Sequence, residues 1–325
     1  MKNKYRTLCI FSSFDKNSFV RPYVYHLVQN LHSQLDCTKF LFISTSEILD
    51  ARDIVRLKSM GIEAHKRENT GYDFGSYFFG LDLEANDLIQ YDRVFFVNDS
   101  IYGPFNKINN LTDRFDQFDY WGLTDSWQHA YHLQSYFLCI NKTAFKELLE
   151  FKHRYKFPND YKQVVLQGEV GLSQYFLSKG KNLCCTFPTE QLIGYKTATA
   201  KQLTEKPKRL ARRLYANYFR KKVLNINPCS VFWRLLLEQG HPFLKRKHFT
   251  DDATMIEHCG EWTSKIDRQY TDAMQAMYSN IVTVRSAVWP TEKVRSFSKI
   301  LFLLKSKMKK RRYIDGLSRV VKEGS

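Results

Sequence analysis

The carboxylate with the most suggestive surroundings is Asp99, in VFFVNDSIYGPF (94–105), where an apolar run meets Asn98, Asp99 and Ser100. Small polar residues of this kind commonly cap the turn after a strand. In an open α/β sheet, however, the ends of strands are also where ligands bind. Two interpretations of Asp99 are therefore open, a turn cap and a site for a substrate or a metal.

A second stretch, ENTGYDFGSY (68–77), combines Asn69 and Asp73 with the glycines Gly71 and Gly75. The glycines could serve only the turn between a strand and a helix. Alternatively, they let the backbone approach a nucleotide while Asp73 accepts a hydrogen bond from its ribose or base. The pattern is not G-x-G-x-x-G, and no P-loop lysine follows, which disfavours a dinucleotide enzyme or an ATPase.

Two further stretches add groups that could do acid–base chemistry or bind a sugar. Glu169, in GEVGLSQYFLSKG (168–180), is predicted to begin a helix. There it could interact favourably with the helix dipole or act as a general base. Asp125, His132 and Gln134 alternate with aromatic residues, a pattern that resembles a sugar-binding wall.

A metal site is predicted at Asp99 alone. Hard divalent cations take oxygen ligands, and a nucleoside diphosphate supplies several of them. One carboxylate would then be enough to dock a manganese or magnesium diphosphate, although a single carboxylate is weak evidence for it.

The elements that must position these residues alternate between strand and helix patterns. The predicted strands are 7–14, 39–46 and 93–99, and the predicted helices are 20–35, 47–61 and 75–85. Strands separated by helices of this length predict βαβ units and a mostly parallel sheet. The carboxyl ends of its strands should carry the site, and the sequence is polar there, at 12–14, 44–46, 69–73 and 98–100.

The composition describes a basic, globular protein. The chain has 325 residues, 43% of them hydrophobic and 15% aromatic, with a formal net charge of +17. That charge indicates an anionic partner, which could be nucleic acid, anionic lipid or nucleotide phosphate. The seven cysteines are scattered, which is typical of reduced thiols in a cytosolic protein. We find neither a signal peptide nor an apolar run of about 18–20 residues that could span a membrane.

Positive charge is concentrated in two runs. Residues 201–222 hold nine Lys or Arg against one Glu, and residues 293–312 hold nine cations beside an apolar stretch. Apolar residues at helical spacing favour an amphipathic helix on anionic lipid, so we expect a cytoplasmic protein peripheral to the inner face of the membrane. Nucleic acid is not expected as a partner, since no helix-turn-helix, zinc or RNA-binding signature occurs.

Taken together, several stretches resemble the rhamnan synthesis protein F family, bacterial glycosyltransferases of cell-wall and O-antigen polysaccharides. They are ENTGYDFGSYFFGL (68–81), VNDSIYGPF (97–105), DYWGLTDS (119–126), HLQSYFL (132–138), GEVGLS (168–173) and NPCSVFWRLLLEQGHPFLKR (227–246). The resemblance implies a GT-A-like α/β fold with a mostly parallel central sheet and a helical, basic C-terminal extension. It divides the chain into a glycosyltransferase core (1–200), a C-terminal lobe with a basic helix (201–255) and a basic tail (256–325).

The resemblance also implies roles for individual residues. VFFVNDS stands where GT-A enzymes carry an Asp-x-Asp motif, but it offers a single carboxylate, which puts metal dependence in doubt. Glu169 falls where many inverting enzymes have their catalytic Asp, and Asp125 is a second catalytic candidate. The implied nucleotide-sugar contacts are Asn69, Gly71, Asp73, Asn98, Asp99 and Ser100. The implied sugar or acceptor contacts are Trp121, His132, Gln134, Arg234, Lys245 and Arg246, with Lys245 and Arg246 stabilising the leaving diphosphate if no metal is bound.

The implied reaction moves rhamnose or a similar sugar from dTDP-rhamnose or a UDP-sugar to a lipid-linked or oligosaccharide acceptor, with inversion. The missing second carboxylate keeps an alternative open, a catalytically inert carbohydrate-binding or scaffolding subunit of a polysaccharide assembly complex.

Overall fold

The computed structural model of the chain describes residues 5–112, 114–192 and 227–246. The predicted basic tail (256–325) lies outside these residues, as does most of the predicted lobe (201–255) with its basic run. The division of the chain into a core (1–200) and two following segments stays a prediction. Within the described ranges, no helix is long and apolar enough to cross a lipid bilayer.

Four parallel strands form the first half of the central sheet, in the spatial order β3-β2-β1-β4. They are β1 (Thr7–Ser13), β2 (Cys37–Ser44), β3 (Glu63–Lys66) and β4 (Arg93–Asn98). The helices between them are α1 (Pro22–Gln34), α2 (Ala51–Ser59) and α3 (Tyr72–Leu83). β1 and β4 are buried along their whole length, as expected of strands covered on both faces. The predicted α/β fold with a mostly parallel central sheet is confirmed.

The second half of the sheet is mixed. It contains β6 (Tyr120–Ser126), β7 (His132–Leu133), β8 (Phe137–Asn141) and β9 (Leu183–Phe187). β8 runs antiparallel to both β4 and β6, whereas β9 is parallel to β6. Because β8 is antiparallel to β4, its amino end meets the carboxyl ends of β1 and β4 at one edge of the sheet.

The helical stretch that carries Glu169 is longer than the sequence predicted. After α5 (Phe145–Arg154), it runs through α6 (Tyr161–Val164), a π-helix (Val165–Val170) and α7 (Gly171–Ser178). Glu169 therefore lies inside the stretch, and the prediction that it begins a helix is wrong. The π-helix is a rare conformation that frequently occurs at functional sites.

The remaining short elements complete the chain. They are β5 (Ile101–Tyr102), α4 (Asn109–Thr112), β10 (Leu244–Lys245), two further helices (Pro228–Val231 and Trp233–Glu238) and two 3-10 turns (Leu88–Gln90 and Lys142–Ala144). β10 pairs antiparallel with β5, which brings the last described residues back to the end of β4.

The hydrophobic core lies on both faces of the sheet. Along β1, Cys9 and Phe11 join the cluster on one face, and Leu8 and Ile10 join the cluster on the other. This alternation follows from the two-residue period of a strand. α3 approaches β1 closely, since a Cβ added at Gly80 would lie 2.5 Å from Cγ2 of Ile10. β1, whose carboxyl end carries Ser12 and Ser13, is therefore packed between two hydrophobic layers.

Candidate functional site

Asp99 lies directly after β4 and is held by the end of β1. Its Oδ2 accepts hydrogen bonds from the Ser13 hydroxyl and the Phe14 N–H, both at 3.0 Å. Its Oδ1 lies 3.4 Å from Nη1 of Arg246. Burial raises the pKa of Asp99, while Arg246 and the two donors act in the opposite direction. Asp99 thus joins β1, β4 and the C-terminal segment.

Asp73 lies in the first turn of α3, beside Asp99. Its carboxylate accepts from the Ser12 hydroxyl at 3.1 Å and from Nδ2 of Asn98 at 2.8 Å. Burial, followed by the nearby charge of Asp99, raises the pKa of Asp73 to about 6. The predicted meeting of Asp73 with the Asn98–Ser100 stretch is therefore present in the structure.

The C-terminal segment supplies two cations to the same place. Lys245 Nζ donates to the Ser100 hydroxyl at 2.9 Å, and the Arg246 N–H donates to the Ser100 carbonyl at 2.8 Å. The Arg246 guanidinium also donates to the backbone carbonyl of Asp99 at 3.2 Å. The donor-side cluster is defined here as Asp73, Asp99, Lys245 and Arg246, all of which are half-buried and so reachable from solvent.

Glu169 forms a second charged centre at the amino end of β8. Its Oε2 accepts from the Ser135 N–H at 3.0 Å and from the Ser135 hydroxyl at 2.5 Å. Its Oε1 lies 3.1 Å from Nε2 of His132. These three residues, His132, Ser135 and Glu169, are called the Glu169 centre below.

The hydrogen bonds of His132 identify its charge state. Nδ1 faces the carbonyl of Ala130 at 2.9 Å, and Nε2 faces the Glu169 carboxylate. Both partners are acceptors, so both ring nitrogens must carry a proton, and the side chain is an imidazolium. Its bond with Glu169 raises the pKa of His132 against the effect of burial. Burial acts to raise the pKa of Glu169 as well, but His132 and Ser135 outweigh it and hold that pKa below its usual value.

Ser135, Tyr136 and Tyr77 connect the two centres. Tyr77 lies one turn after Asp73 on α3, and its hydroxyl donates to the Ser135 carbonyl at 3.0 Å. The carbonyl of Tyr136 accepts from the Asn98 N–H at 3.3 Å, and Lys245 Nζ lies 4.1 Å above the Tyr136 ring. The donor-side cluster and the Glu169 centre are therefore parts of one site.

The donor set at Asp99 does not fit a divalent cation. One of its oxygens already accepts two hydrogen bonds, and the other faces a guanidinium. Across residues 5–112, 114–192 and 227–246, no three or more His, Cys, Asp or Glu side chains form a group that could hold a metal ion. A manganese or magnesium ion would need oxygen ligands from further groups.

At both glycines of the 68–77 stretch, other atoms of the protein take up the space that a Cβ would need. A Cβ at Gly75 would lie 2.0 Å from the carbonyl oxygen of Thr70 and 2.7 Å from Nη2 of Arg67. At Gly71, which has φ of 70°, a Cβ would lie 3.2 Å from the ring of Phe157. These glycines therefore allow close packing within the loop, and the approach of their backbone to a nucleotide stays a prediction.

Four other predicted residues make none of the hydrogen bonds described above, and of these Asp125 helps to raise the pKa of His132 through its charge. Trp121 is fully buried in the core against Phe95, so its ring is closed to a sugar. Asp125 is buried and accepts from the Thr189 N–H at 2.7 Å, and burial raises its pKa. Arg234 lies over the ring of Trp233, and Asn69 is exposed in the loop after β3.

Gln134 is buried beside the site. Its side-chain oxygen accepts from the Thr124 hydroxyl at 2.8 Å and from the Cys229 thiol at 3.3 Å. A side chain with these partners fixes the hairpin that carries Ser135, which gives it a positioning role.

Three serines belong to the site but received no role from the sequence. Ser12 and Ser13 end β1, where the sequence predicts only a polar strand end. Ser135 stands between Gln134 and Tyr136 in HLQSYF, where the predicted sugar contacts are His132 and Gln134. No pattern in the sequence indicates Ser135, because its place at the amino end of β8 depends on the antiparallel pairing of β8 with β4.

Comparison with known proteins identifies a family that this chain matches and two relatives. The family described as "Rhamnan synthesis protein F" matches residues 40–225. A virulence protein, VirA, from Vibrio anguillarum is 30% identical over 259 residues, covering 77% of this chain and 81% of the relative. An uncharacterised protein, y4gN, from Sinorhizobium fredii is 26% identical over 136 residues, covering 39% of this chain and 36% of the relative.

The likenesses among solved structures are weaker. A nucleoside-diphosphate-sugar pyrophosphorylase from Vibrio cholerae RC9 is 16% identical, with a TM-score of 0.37, covering 56% of this chain and 92% of the other. The glycosyltransferase GlyE of Streptococcus pneumoniae TIGR4 is 12% identical, with a TM-score of 0.34, covering 88% and 66%. Identification rests on the family match and on VirA instead. The chain belongs to the rhamnan synthesis protein F family.

Proposed function

We propose that this protein is a glycosyltransferase that moves rhamnose or a similar sugar from a nucleotide-sugar donor to a growing polysaccharide. Membership of a rhamnan synthesis family supports a role in polysaccharide synthesis. The observation that carries the proposal is the pairing, in one site, of two half-buried cations, Lys245 and Arg246, with an ionised carboxylate, Glu169. Cations suit the leaving diphosphate, and the carboxylate suits the attacking hydroxyl.

The donor-side cluster would hold the nucleotide-sugar, dTDP-rhamnose or a UDP-sugar. Lys245 and Arg246 would bind the diphosphate, with the Ser100 hydroxyl and the Asn98 amide as further polar contacts. Arg can bind two phosphate oxygens at once, and Lys acts as a point charge. Asp73 would accept a hydrogen bond from the nucleoside. Because the donor set at Asp99 does not fit a metal, no step of the reaction is assigned to one.

The reaction would be a single displacement with inversion. The acceptor hydroxyl oxygen forms a bond to the anomeric carbon while the bond from that carbon to the phosphate oxygen breaks. The electrons of the broken bond go to the diphosphate, whose charge Lys245 and Arg246 stabilise. The hydroxyl proton goes to Glu169, which is positioned by the N–H and hydroxyl of Ser135.

His132 would keep Glu169 ionised and fixed in place. The pair lowers the pKa of Glu169, so the carboxylate is free of a proton throughout the neutral range. A lower pKa also weakens a base, and the short bond from Ser135 weakens it further. Transfer of the proton to Glu169 would therefore occur late, as the hydroxyl acquires positive charge.

The acceptor would be lipid-linked or a free oligosaccharide. Association with an anionic membrane surface at the inner face of the cytoplasmic membrane stays a prediction, because the basic runs lie outside the described residues.

The direct test of this proposal is Glu169→Gln. We expect transfer to fall by about 10²–10⁴, the usual contribution of a general base, with donor affinity retained. Glu150→Gln is the matched control, since Glu150 pairs with Lys179 on the surface. Normal transfer by Glu169→Gln would remove this residue from the chemistry. Absence of transfer in the unmodified protein, with every donor and acceptor tried, would favour the inert carbohydrate-binding subunit.

A further inference from the structure

Three aromatic side chains stand exposed beside the site without a role in the proposed reaction. Tyr72 is 37% exposed, Phe157 is 38% exposed and Tyr161 is 56% exposed. They come from the start of α3, the loop after α5 and the start of α6. Grouped exposed aromatic residues usually mark a binding surface, whereas single ones need no explanation.

The three side chains are assembled by contacts between two distant loops. The rings of Tyr72 and Tyr161 lie 6.3 Å apart in an edge-to-face arrangement. Phe157 fills the space over Gly71, and the Gly71 N–H donates to the side chain of Asn159 at 3.4 Å. The two loops are therefore held together by direct contacts beside Asp73.

The backbone under this cluster is strained. Tyr72 has φ of 49° and Phe157 has φ of 48°, in the left-handed region that bulky side chains rarely adopt. Strain of this kind persists only where the surroundings impose it, and it concentrates at functional sites. The conformation of Phe157 is imposed by its aromatic neighbours, since its ring packs edge-on against Phe78 and Tyr155. The backbone strain at two of its three residues therefore indicates that this exposed aromatic cluster binds a ligand.

The cluster borders the donor-side cluster at Asp73 and does not overlap the Glu169 centre. Tyr72 immediately precedes Asp73, and Tyr161 precedes Glu169 by eight positions in one continuous helical stretch. At about 1.5 Å per residue, Tyr161 and Glu169 are about 12 Å apart along the axis. This separation is longer than a single sugar ring, so the cluster would contact a neighbouring sugar and not the reacting one.

We propose that Tyr72, Phe157 and Tyr161 form a stacking surface for the acceptor saccharide, beyond the sugar that receives the transfer. The inference rests on the proposed function and deepens it. Sugars present C–H groups on one ring face and hydroxyls at the rim, which matches an aromatic face with a polar phenol edge. The cluster is bordered by polar residues, among them Asn159 and Asp160, which suits a saccharide better than an acyl chain.

The test compares acceptors of different length. Tyr161→Ala and Tyr72→Ala are each measured for transfer to L-rhamnose and to a rhamnan tetrasaccharide, alongside Tyr161→Trp and a surface control, Ile89→Ala. We expect KM for the tetrasaccharide to rise by up to about tenfold in the alanine variants, with KM for rhamnose and for the donor unchanged. Tyr161→Trp keeps the stacking face and should retain the tetrasaccharide KM.

Titration of the tetrasaccharide by calorimetry separates this inference from the proposed function. Binding that the alanine variants weaken supports the surface even if no transfer is detected, in which case only the proposed function fails. Equal effects on the short and the long acceptor would overturn the inference, as would no effect on either. Loss of dimerisation or of acyl-chain binding, with tetrasaccharide binding intact, would assign the cluster to a second copy or to a lipid instead.

Discussion

The donor-side cluster and the Glu169 centre contain carboxylates in similar surroundings with opposite pKa shifts. Asp73 and Glu169 are both half-buried, and both accept hydrogen bonds from serine. Burial and then the charge of the neighbouring carboxylate, Asp99, raise the pKa of Asp73 to about 6, and the neutral amide of Asn98 does not offset them. The pKa of Glu169 is lowered, because its remaining partner is an imidazolium. The charge of the neighbour, and not burial alone, decides the state of each acid.

This difference suits two tasks within one site. A carboxyl with a pKa near 6 is readily protonated when a diphosphate binds nearby, which would limit the repulsion between them. A carboxylate held ionised at neutral pH is ready to accept a proton. The comparison therefore predicts that changes in the cations of the donor-side cluster affect donor binding, and that changes at His132 affect the state of Glu169.

The largest expected effect in this comparison comes from removing the cations of the donor-side cluster. Lys245→Met and Arg246→Met should each weaken nucleoside diphosphate binding by about 1.5–3 kcal/mol, the usual worth of a hydrogen bond to a charged group. This corresponds to a rise in Kd of about 10- to 150-fold, measured by calorimetry.

Lys179→Met is the matched control, because Lys179 pairs with Glu150 at the far end of α7. It should leave the Kd unchanged. If Lys245→Met and Lys179→Met behave alike, the diphosphate does not bind at the donor-side cluster.

A smaller effect is expected from His132→Gln, which removes the imidazolium from the Glu169 centre. The raised pKa of His132 means that its contribution to stability is full below about pH 6.5 and is lost as pH rises through the folded-state value. The lowered pKa of Glu169 means that its contribution is full above about pH 4.3 and is lost as pH falls. Between about pH 4.3 and about pH 6.5, the free energy of unfolding of His132→Gln should therefore be about 1.5 kcal/mol lower than that of the unmodified protein. The difference should be smaller at higher pH.

Denaturant unfolding of both proteins across this pH range measures the difference. His153→Gln, at the exposed end of α5, serves as the control and should show no such window. A loss of stability in His132→Gln that is the same at every pH would show that the pair is not ionic.

The parallel half of the sheet was predictable because local patterns determine it. Apolar runs such as VFFV and helical periods alternate along residues 7–98, and each βαβ unit follows from its own sequence. The mixed half is different. Whether β8 pairs antiparallel with β4 depends on long-range register, which no pattern within residues 119–140 specifies.

The site was predictable to the extent that it lies at strand ends. Asp73, Asp99 and Ser100 meet as expected, since the carboxyl ends of parallel strands share one edge. The ion pair of His132 with Glu169 was not predictable, because it joins a hairpin to a π-helix. Trp121 looked like a sugar-stacking residue, but its side of β6 faces the core. A sequence names the residue types, whereas the tertiary register decides which of them face each other.

The most direct test of the central claim, that a cation pair holds the donor diphosphate in place of a metal, is one titration. Calorimetry of dTDP and UDP against the unmodified protein, with EDTA and then with manganese or magnesium, compares the two conditions. The account predicts binding in EDTA with an affinity close to that measured with the metals, and weaker binding as salt concentration rises. Binding that is abolished by EDTA and restored by manganese would contradict it.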